Sequence, residues 1–134
     1  MVCTPGMRLT IFPCIPYTYF QKKAEEGTLY VAIENCETVG AAVILGSDGR
    51  WQDDGRALYI HNLVSKLGTA GAGAFIIGET ERIAAELGKE CIRLDAAVQN
   101  APLLSYYRQN GFIPKGTFTE GLYRGTRLEK RVYS

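Results

Sequence analysis

Apolar and polar positions alternate with two different periods along this chain, and the change of period marks its architecture. Residues up to about Pro16 read as irregular, since three of the five prolines fall there. Tyr17 to Glu26 has the makings of a short helix stopped by Gly27. Thr28 to Asn35 and Thr38 to Leu45 are β-rich, and the link at Cys36-Glu37 is short enough for a hairpin. Gly46-Ser47-Asp48-Gly49 is turn chemistry. From Ala57 to Val64 the alternation predicts a strand, with Leu58, Ile60, Asn62 and Val64 on one face and Tyr59, His61 and Leu63 on the other.

Between Ala72 and Leu87 the spacing becomes helical. Ala72, Ile76, Ile83 and Leu87 form an apolar stripe opposite Glu79, Arg82 and Glu86, and Gly88 is the expected stop. Cys91 to Ala96 returns to alternation, Ile92, Leu94 and Ala96 against Arg93 and Asp95. The segment from Ala57 to Ala96 is thus a strand–helix–strand unit, and a crossover of this length predicts two parallel strands. Asn100 is a good helix cap, Pro102 is tolerated in a first turn, and a short helix should run to about Asn110 before Gly111. Two further strands are expected near Lys115–Glu120 and Arg127–Tyr133. The order β-β-β-α-β-α-β-β predicts an α/β (α+β) fold with a mixed sheet and flanking helices.

Composition narrows the function more than the fold. A length of 134 residues suits one domain spanning 1–134, large enough for a hydrophobic core. Fifteen Lys and Arg against fourteen Asp and Glu leave no electrostatic footprint for nucleic acid. No apolar run approaches the ~20 residues that span a bilayer, and the first sixteen residues make a poor signal peptide. Four cysteines without a Cys-x-x-Cys pair, and a single His, argue against zinc. The expectation is a cytoplasmic protein with reduced thiols and no metal, in which Cys91 is a small core residue.

Gly68-Thr69-Ala70-Gly71-Ala72-Gly73 lies between the strand and the helix of the parallel unit. Glycines let backbone approach a ligand, and a helix start offers free N–H groups and a positive dipole end, which together suit a pyrophosphate. Close helix–sheet packing is the other reading of the same glycines. A P-loop would need a Lys after them, and a dinucleotide fingerprint would need Gly at Ile76.

Tyr59-Ile60-His61-Asn62-Leu63-Val64, Gly71-x-Gly73, Asn100-Ala101-Pro102-Leu103 and Tyr107-Arg108-Gln109-Asn110-Gly111-Phe112, in this order and spacing, resemble the GNAT superfamily of acetyl-CoA-dependent N-acetyltransferases, and the resemblance runs from about Thr28 onward. Tyr59-Ile60-His61-Asn62-Leu63-Val64 looks like the fourth strand of that family. Gly71-x-Gly73 fits the end of its Arg/Gln-x-x-Gly-x-Gly/Ala loop. Ile83 to Gly88 and Arg93-Leu94-Asp95 are similar to its third helix and fifth strand. Asn100-Ala101-Pro102-Leu103 and Tyr107-Arg108-Gln109-Asn110-Gly111-Phe112 resemble its Asn-x-x-Leu and Tyr-x-x-x-Gly-Phe signature.

The resemblance implies a mostly antiparallel sheet with one parallel, splayed strand pair that receives the pantetheine arm of acetyl-CoA. Backbone groups of Leu63, Val64 and Ser65 would then pair with the pantetheine amides. Amides of Gly68, Thr69, Gly71, Ala72, Gly73 and Ala74 would hold the pyrophosphate. Asn100 matches a position that contacts the cofactor arm, and a plain helix cap is its other reading. Tyr107 matches the family's general acid. A phenol of pKa about 10 can protonate a departing thiolate of pKa about 8.5, while the bland alternative is a packing tyrosine. His61 has the ordinary pKa of a general base for the amine, with a structural strand histidine as the rival. Asp53, Asp54, Glu34 and Glu37 are available to attract a cationic acceptor, or to sit in solvated turns.

Two departures from the family pattern stand out. Gly68 occupies the family's Arg/Gln position in a loop about one residue short. Residues 1–27 also form a shortened counterpart of the region that walls the acceptor site. The expected function is acetyl transfer from acetyl-CoA to a primary amine, of a small molecule or a peptide, by direct transfer in a ternary complex. The alternative is a non-catalytic acyl-CoA-binding or interaction module. Phe12, Tyr17, Tyr19 and Phe20 further suggest a homodimer contact in the region 11–20.

Overall fold

In the computed structural model residues 7–11, 26–52, 54–66 and 71–132 are described. Among the described residues, seven strands and two helices follow in the order β1 (Met7–Ile11), β2 (Leu29–Glu34), β3 (Glu37–Leu45), β4 (Ala57–Ser65), α1 (Ala72–Glu86), β5 (Cys91–Ala97), α2 (Ala101–Gln109), β6 (Ile113–Glu120) and β7 (Tyr123–Arg131). The sheet order is β1-β2-β3-β4-β5-β7-β6. β1 with β2, β2 with β3, β5 with β7 and β6 with β7 pair antiparallel, and β4 pairs with β5 in parallel. The parallel pair that the strand–helix–strand pattern requires is therefore present. Its ladder joins Ala57, Leu58 and Tyr59 to Cys91, Ile92 and Arg93.

The chain divides into two compact units. The first holds β1, β2, β3, residues 60–65 of β4 and residues 71–80 of the helical segment. Glu34 pairs with Glu37, so the hairpin loop is Asn35-Cys36, one residue earlier than the sequence suggests. Both residues have positive φ, 51° and 63°, as a two-residue hairpin turn demands. Asn accepts that conformation readily. Cys36 is disulfide-bonded, which corrects the expectation of wholly reduced thiols. Leu29 and Val43 are buried with Ala41 and Leu45 packed against them. β1 corrects the irregular reading of the N-terminal segment: Met7–Ile11 pairs with Tyr30–Glu34. Residues 17–25, where a helix was expected, lie outside the described residues, as do Phe12, Tyr17, Tyr19 and Phe20.

β4 carries a local departure. Asn62 has φ 53° in mid-strand, a left-handed conformation that Asn tolerates better than most residues. It breaks the two-residue alternation expected from Ala57 to Val64. Ala57, Leu58, Tyr59 and Ile60 are all buried, whereas Val64 is exposed.

The second unit holds residues 46–59 and 81–132. Leu58, Tyr59, Ile92, Leu94, Tyr107, Phe112 and Leu128 are its larger buried side chains. α1 ends as Gly88 predicts. That glycine has φ 73°, Lys89 N donates to Ala84 O at 2.8 Å, and Gly88 N donates to Ala85 O at 3.1 Å. This is the Schellman arrangement. Within α1, Ala72, Ile76, Ile77, Thr80 and Ala84 are buried, while Leu87 is 61% exposed. Leu87 therefore leaves the expected stripe, because it falls where the helix unwinds into its cap. Thr80 takes a core position instead, its hydroxyl satisfied by the Ile76 carbonyl at 2.8 Å.

Candidate active site

In the first unit the end of β4 and the start of α1 meet at Gly40 of β3. A Cβ built there would stand 3.1 Å from the Val64 carbonyl oxygen, 3.0 Å from Ile76 Cδ1 and 3.5 Å from Ala72 Cβ. Glycine is what lets these backbones close up. Lys66 N donates to Val39 O at 2.8 Å, holding the end of β4 on β3. The side chains of His61 and Leu63 are half-buried, and Val64 and Ser65 are exposed. Gly71 has φ 85° with open space about it, and Phe75 N donates to its carbonyl at 2.9 Å. α1 thus begins just after Gly71, Ala72 buried, Gly73 half-buried and Ala74 exposed. No acidic residue occupies its first turn, so no side chain of that turn competes as a carboxylate for its free N–H groups. Gly68 and Thr69 lie outside the described residues.

Asn100 and Tyr107 belong to the second unit, on α2. Asn100 is the N-cap, its Oδ1 accepting from Leu103 N at 3.2 Å, which is the plain cap chemistry its position suggests. Tyr107 is 5% exposed. Its ring packs between Tyr106, with centroids 5.7 Å apart, and Phe112 at 5.6 Å. Burial pushes the phenol up to about 12, helped by the nearby Tyr106 and Asp95.

Asp95 is a residue that the sequence reading passed over. Tyr123 Oη donates to it at 2.7 Å, and Arg50 Nη1 approaches it at 3.3 Å. Arg50 also binds Glu120 at 3.0 Å and lies over the rings of Phe118 and Tyr123, 5.4 and 5.3 Å from their centroids. Burial, then the hydrogen bond to Asp95, hold the Tyr123 hydroxyl above its ordinary range. The one signal for this cluster in the sequence is the polar pair Arg93 and Asp95 on alternate positions of an otherwise apolar strand.

Arg93 is buried, at 5% exposure. It donates to Glu129 at 2.8 Å and to Tyr59 Oη at 2.9 Å, and pairs with Asp54 at 3.3 Å. Burial opposes its charge, but these hydrogen bonds outweigh that and hold the guanidinium above its usual range. Two of the carboxylates proposed to draw an acceptor are thereby committed. Asp54 pairs with Arg93 and Arg56, and Glu37 with Lys66. Asp53 lies outside the described residues. Among the described residues no group of three or more His, Cys, Asp or Glu could hold a metal ion, and no helix is long and apolar enough to cross a membrane.

No protein-family profile and no curated protein matches the sequence. Solved structures match the fold. A GNAT-family acetyltransferase from Listeria monocytogenes is 21% identical with a TM-score of 0.69, over 85% of this chain and 70% of that one. A Bacillus subtilis acetyltransferase in complex with CoA is 17% identical with a TM-score of 0.71, over 96% of this chain and 100% of its own. Ard1 from Thermoplasma volcanium is 13% identical with a TM-score of 0.74, over 96% and 99%. The fold is that of the GNAT acetyltransferases.

Proposed function

We infer that this chain transfers the acetyl group of acetyl-CoA to a primary amine. The observation that carries the reading is Tyr107, a phenol that burial keeps protonated up to about pH 12, at the position where the sequence resembles the family's general acid. Acetyl-CoA supplies an activated acetyl thioester. The residues present suit it: α1 starts behind Gly71 without an acidic side chain in its first turn, which favours a pyrophosphate. The proposed contacts are the backbone of Leu63, Val64 and Ser65, the amides of 68–74, and Asn100.

In this reading the amine nitrogen bonds to the acetyl carbon in a ternary complex, and the bond from that carbon to sulfur breaks. Tyr107 gives its proton to the departing sulfur. The proton lost by the amine passes to His61 or to water. The acceptor is a small-molecule or peptide amine. A homodimer in the cytoplasm is part of the same proposal, and light scattering at micromolar concentration tests it, a monomer mass refuting the dimer.

The decisive experiment follows thiol release from acetyl-CoA in the presence of a pooled amine library, with mass spectrometry of the products. An acetylated amine formed only with protein present is the expected result. Coenzyme binding with no thiol release from any amine would favour the non-catalytic acyl-CoA-binding reading.

A further inference from the structure

A cavity of about 540 Å³ opens in the second unit, within the size range of small-molecule sites. Trp51, Arg56, Arg93, Lys115, Arg127 and Glu129 line it, with Gln52 and Asp54. Four of these side chains are cationic and two anionic, and the two anions are already engaged. Glu129 binds Arg93 at 2.8 Å, and Asp54 pairs with both Arg93 and Arg56. The charge left over sits on Arg127 and Lys115. Arg127 donates to the carbonyls of Arg50 and Thr117, at 2.6 and 2.9 Å, and has no carboxylate partner among the described residues. Lys115 reaches Glu129 only at 3.8 Å.

Trp51 and Arg93 stack in one wall of this cavity. The Trp51 indole lies under the buried Arg93 guanidinium, 4.8 Å from carbon to ring centroid. Its Nε1–H is shielded from solvent and has no acceptor among the described residues. A buried donor without an acceptor is uncommon in a folded protein. An anionic group entering the cavity would meet the uncompensated cations of Arg127 and Lys115.

We propose that this cavity binds a small molecule through an anionic oxygen-bearing group, a carboxylate or a phosphate. Arginine's planar fork suits either group. Arg93 is held in place by Glu129 and Tyr59, so the wall is set before the ligand arrives. This site uses none of the residues assigned to acetyl-CoA binding or to proton transfer.

Trp51 is the only tryptophan of the chain, so its fluorescence reports on this wall alone. The full chain, without coenzyme, is titrated with inorganic phosphate and, separately, with citrate at constant ionic strength. The expected result is a saturable change in emission with at least one anion, half-complete at about 1 mM or below. Saturation by phosphate at the lower concentration identifies a phosphoryl ligand, and by citrate a carboxylate. Lys115→Gln and Arg127→Gln should each weaken binding by roughly tenfold, the loss of one charge-assisted contact. Arg127 also ties two carbonyls, so if Arg127→Gln does not fold, Lys115→Gln decides alone. A linear, unsaturating response to both anions overturns the proposal. So does a half-saturation point that stays unaltered in every variant that folds.

Discussion

Burial raises the Tyr107 phenol to about 12, and that shift bears directly on the proposed chemistry. The proton is held at any working pH, and giving it to a thiolate whose conjugate acid has a pKa of about 8.5 is uphill, so the transfer has to accompany cleavage of the carbon–sulfur bond. Tyr107→Phe keeps the ring between Tyr106 and Phe112 and removes only the hydroxyl. Turnover in the acetyl-transfer assay should then fall by roughly 10²-fold, while acetyl-CoA affinity measured by calorimetry stays the same. Undiminished turnover would return Tyr107 to a packing role. Asn62 is instructive in a different way. Its φ of 53° could not be read from alternation, because Tyr59 to Val64 fits a regular strand as written. Asn in mid-strand was the available hint, since it is enriched in the left-handed region.

At the scale of elements, the segment from Ala57 to Ala97 was the most legible, because two changes of period and a glycine stop agree with one another. β4 and β5 each extend one residue beyond the expected ends, and α1 stops one residue earlier. β1 was missed although Met7, Leu9 and Ile11 alternate with Arg8 and Thr10. Five residues are a weak signal, and it is pairing with β2 that makes the strand. The Tyr107, Gly111 and Phe112 signature located α2, but the polar cluster of Arg50, Asp95 and Tyr123 joins residues 28 to 45 positions apart, which no local pattern displays. Arg93 binds β5 to its neighbours in the same non-local way. Arg93→Met should destabilise the chain by about 3–5 kcal/mol in urea denaturation, since it leaves Glu129 only the more distant Lys115, at 3.8 Å, as a cation. The double change Arg93→Met with Glu129→Leu should recover most of that loss. A single variant as stable as the parent would mean that solvent already satisfies Glu129.

For the molecule as a whole, the raised pKa values predict a loss of stability in alkali. Cys91 is pushed from an ordinary 9 to about 11 by burial, and Tyr107 from 10 to about 12. The unfolded chain therefore gives up these protons at lower pH than the folded one. Stability is intact below the ordinary values and falls as pH climbs from about 9 towards 12. Urea midpoints across that range should show the decline, with a shallower fall above pH 10 in Tyr107→Phe. Ligand linkage offers the complementary test. A ligand that binds only the folded chain raises its stability by about 2.7 kcal/mol at a hundred times its Kd, so acetyl-CoA should raise the melting temperature. Gly71, at φ 85° in front of α1 with nothing near its missing Cβ, tests where the pyrophosphate sits. Gly71→Asp and Gly71→Asn impose a similar backbone strain and nearly the same bulk, but only Asp adds a negative charge. Backbone strain lowers both apo melting temperatures. The thermal shift on adding acetyl-CoA should nevertheless survive in part in the Asn variant and shrink much further in the Asp variant. Equal shifts in the two variants would show that no phosphate approaches Gly71.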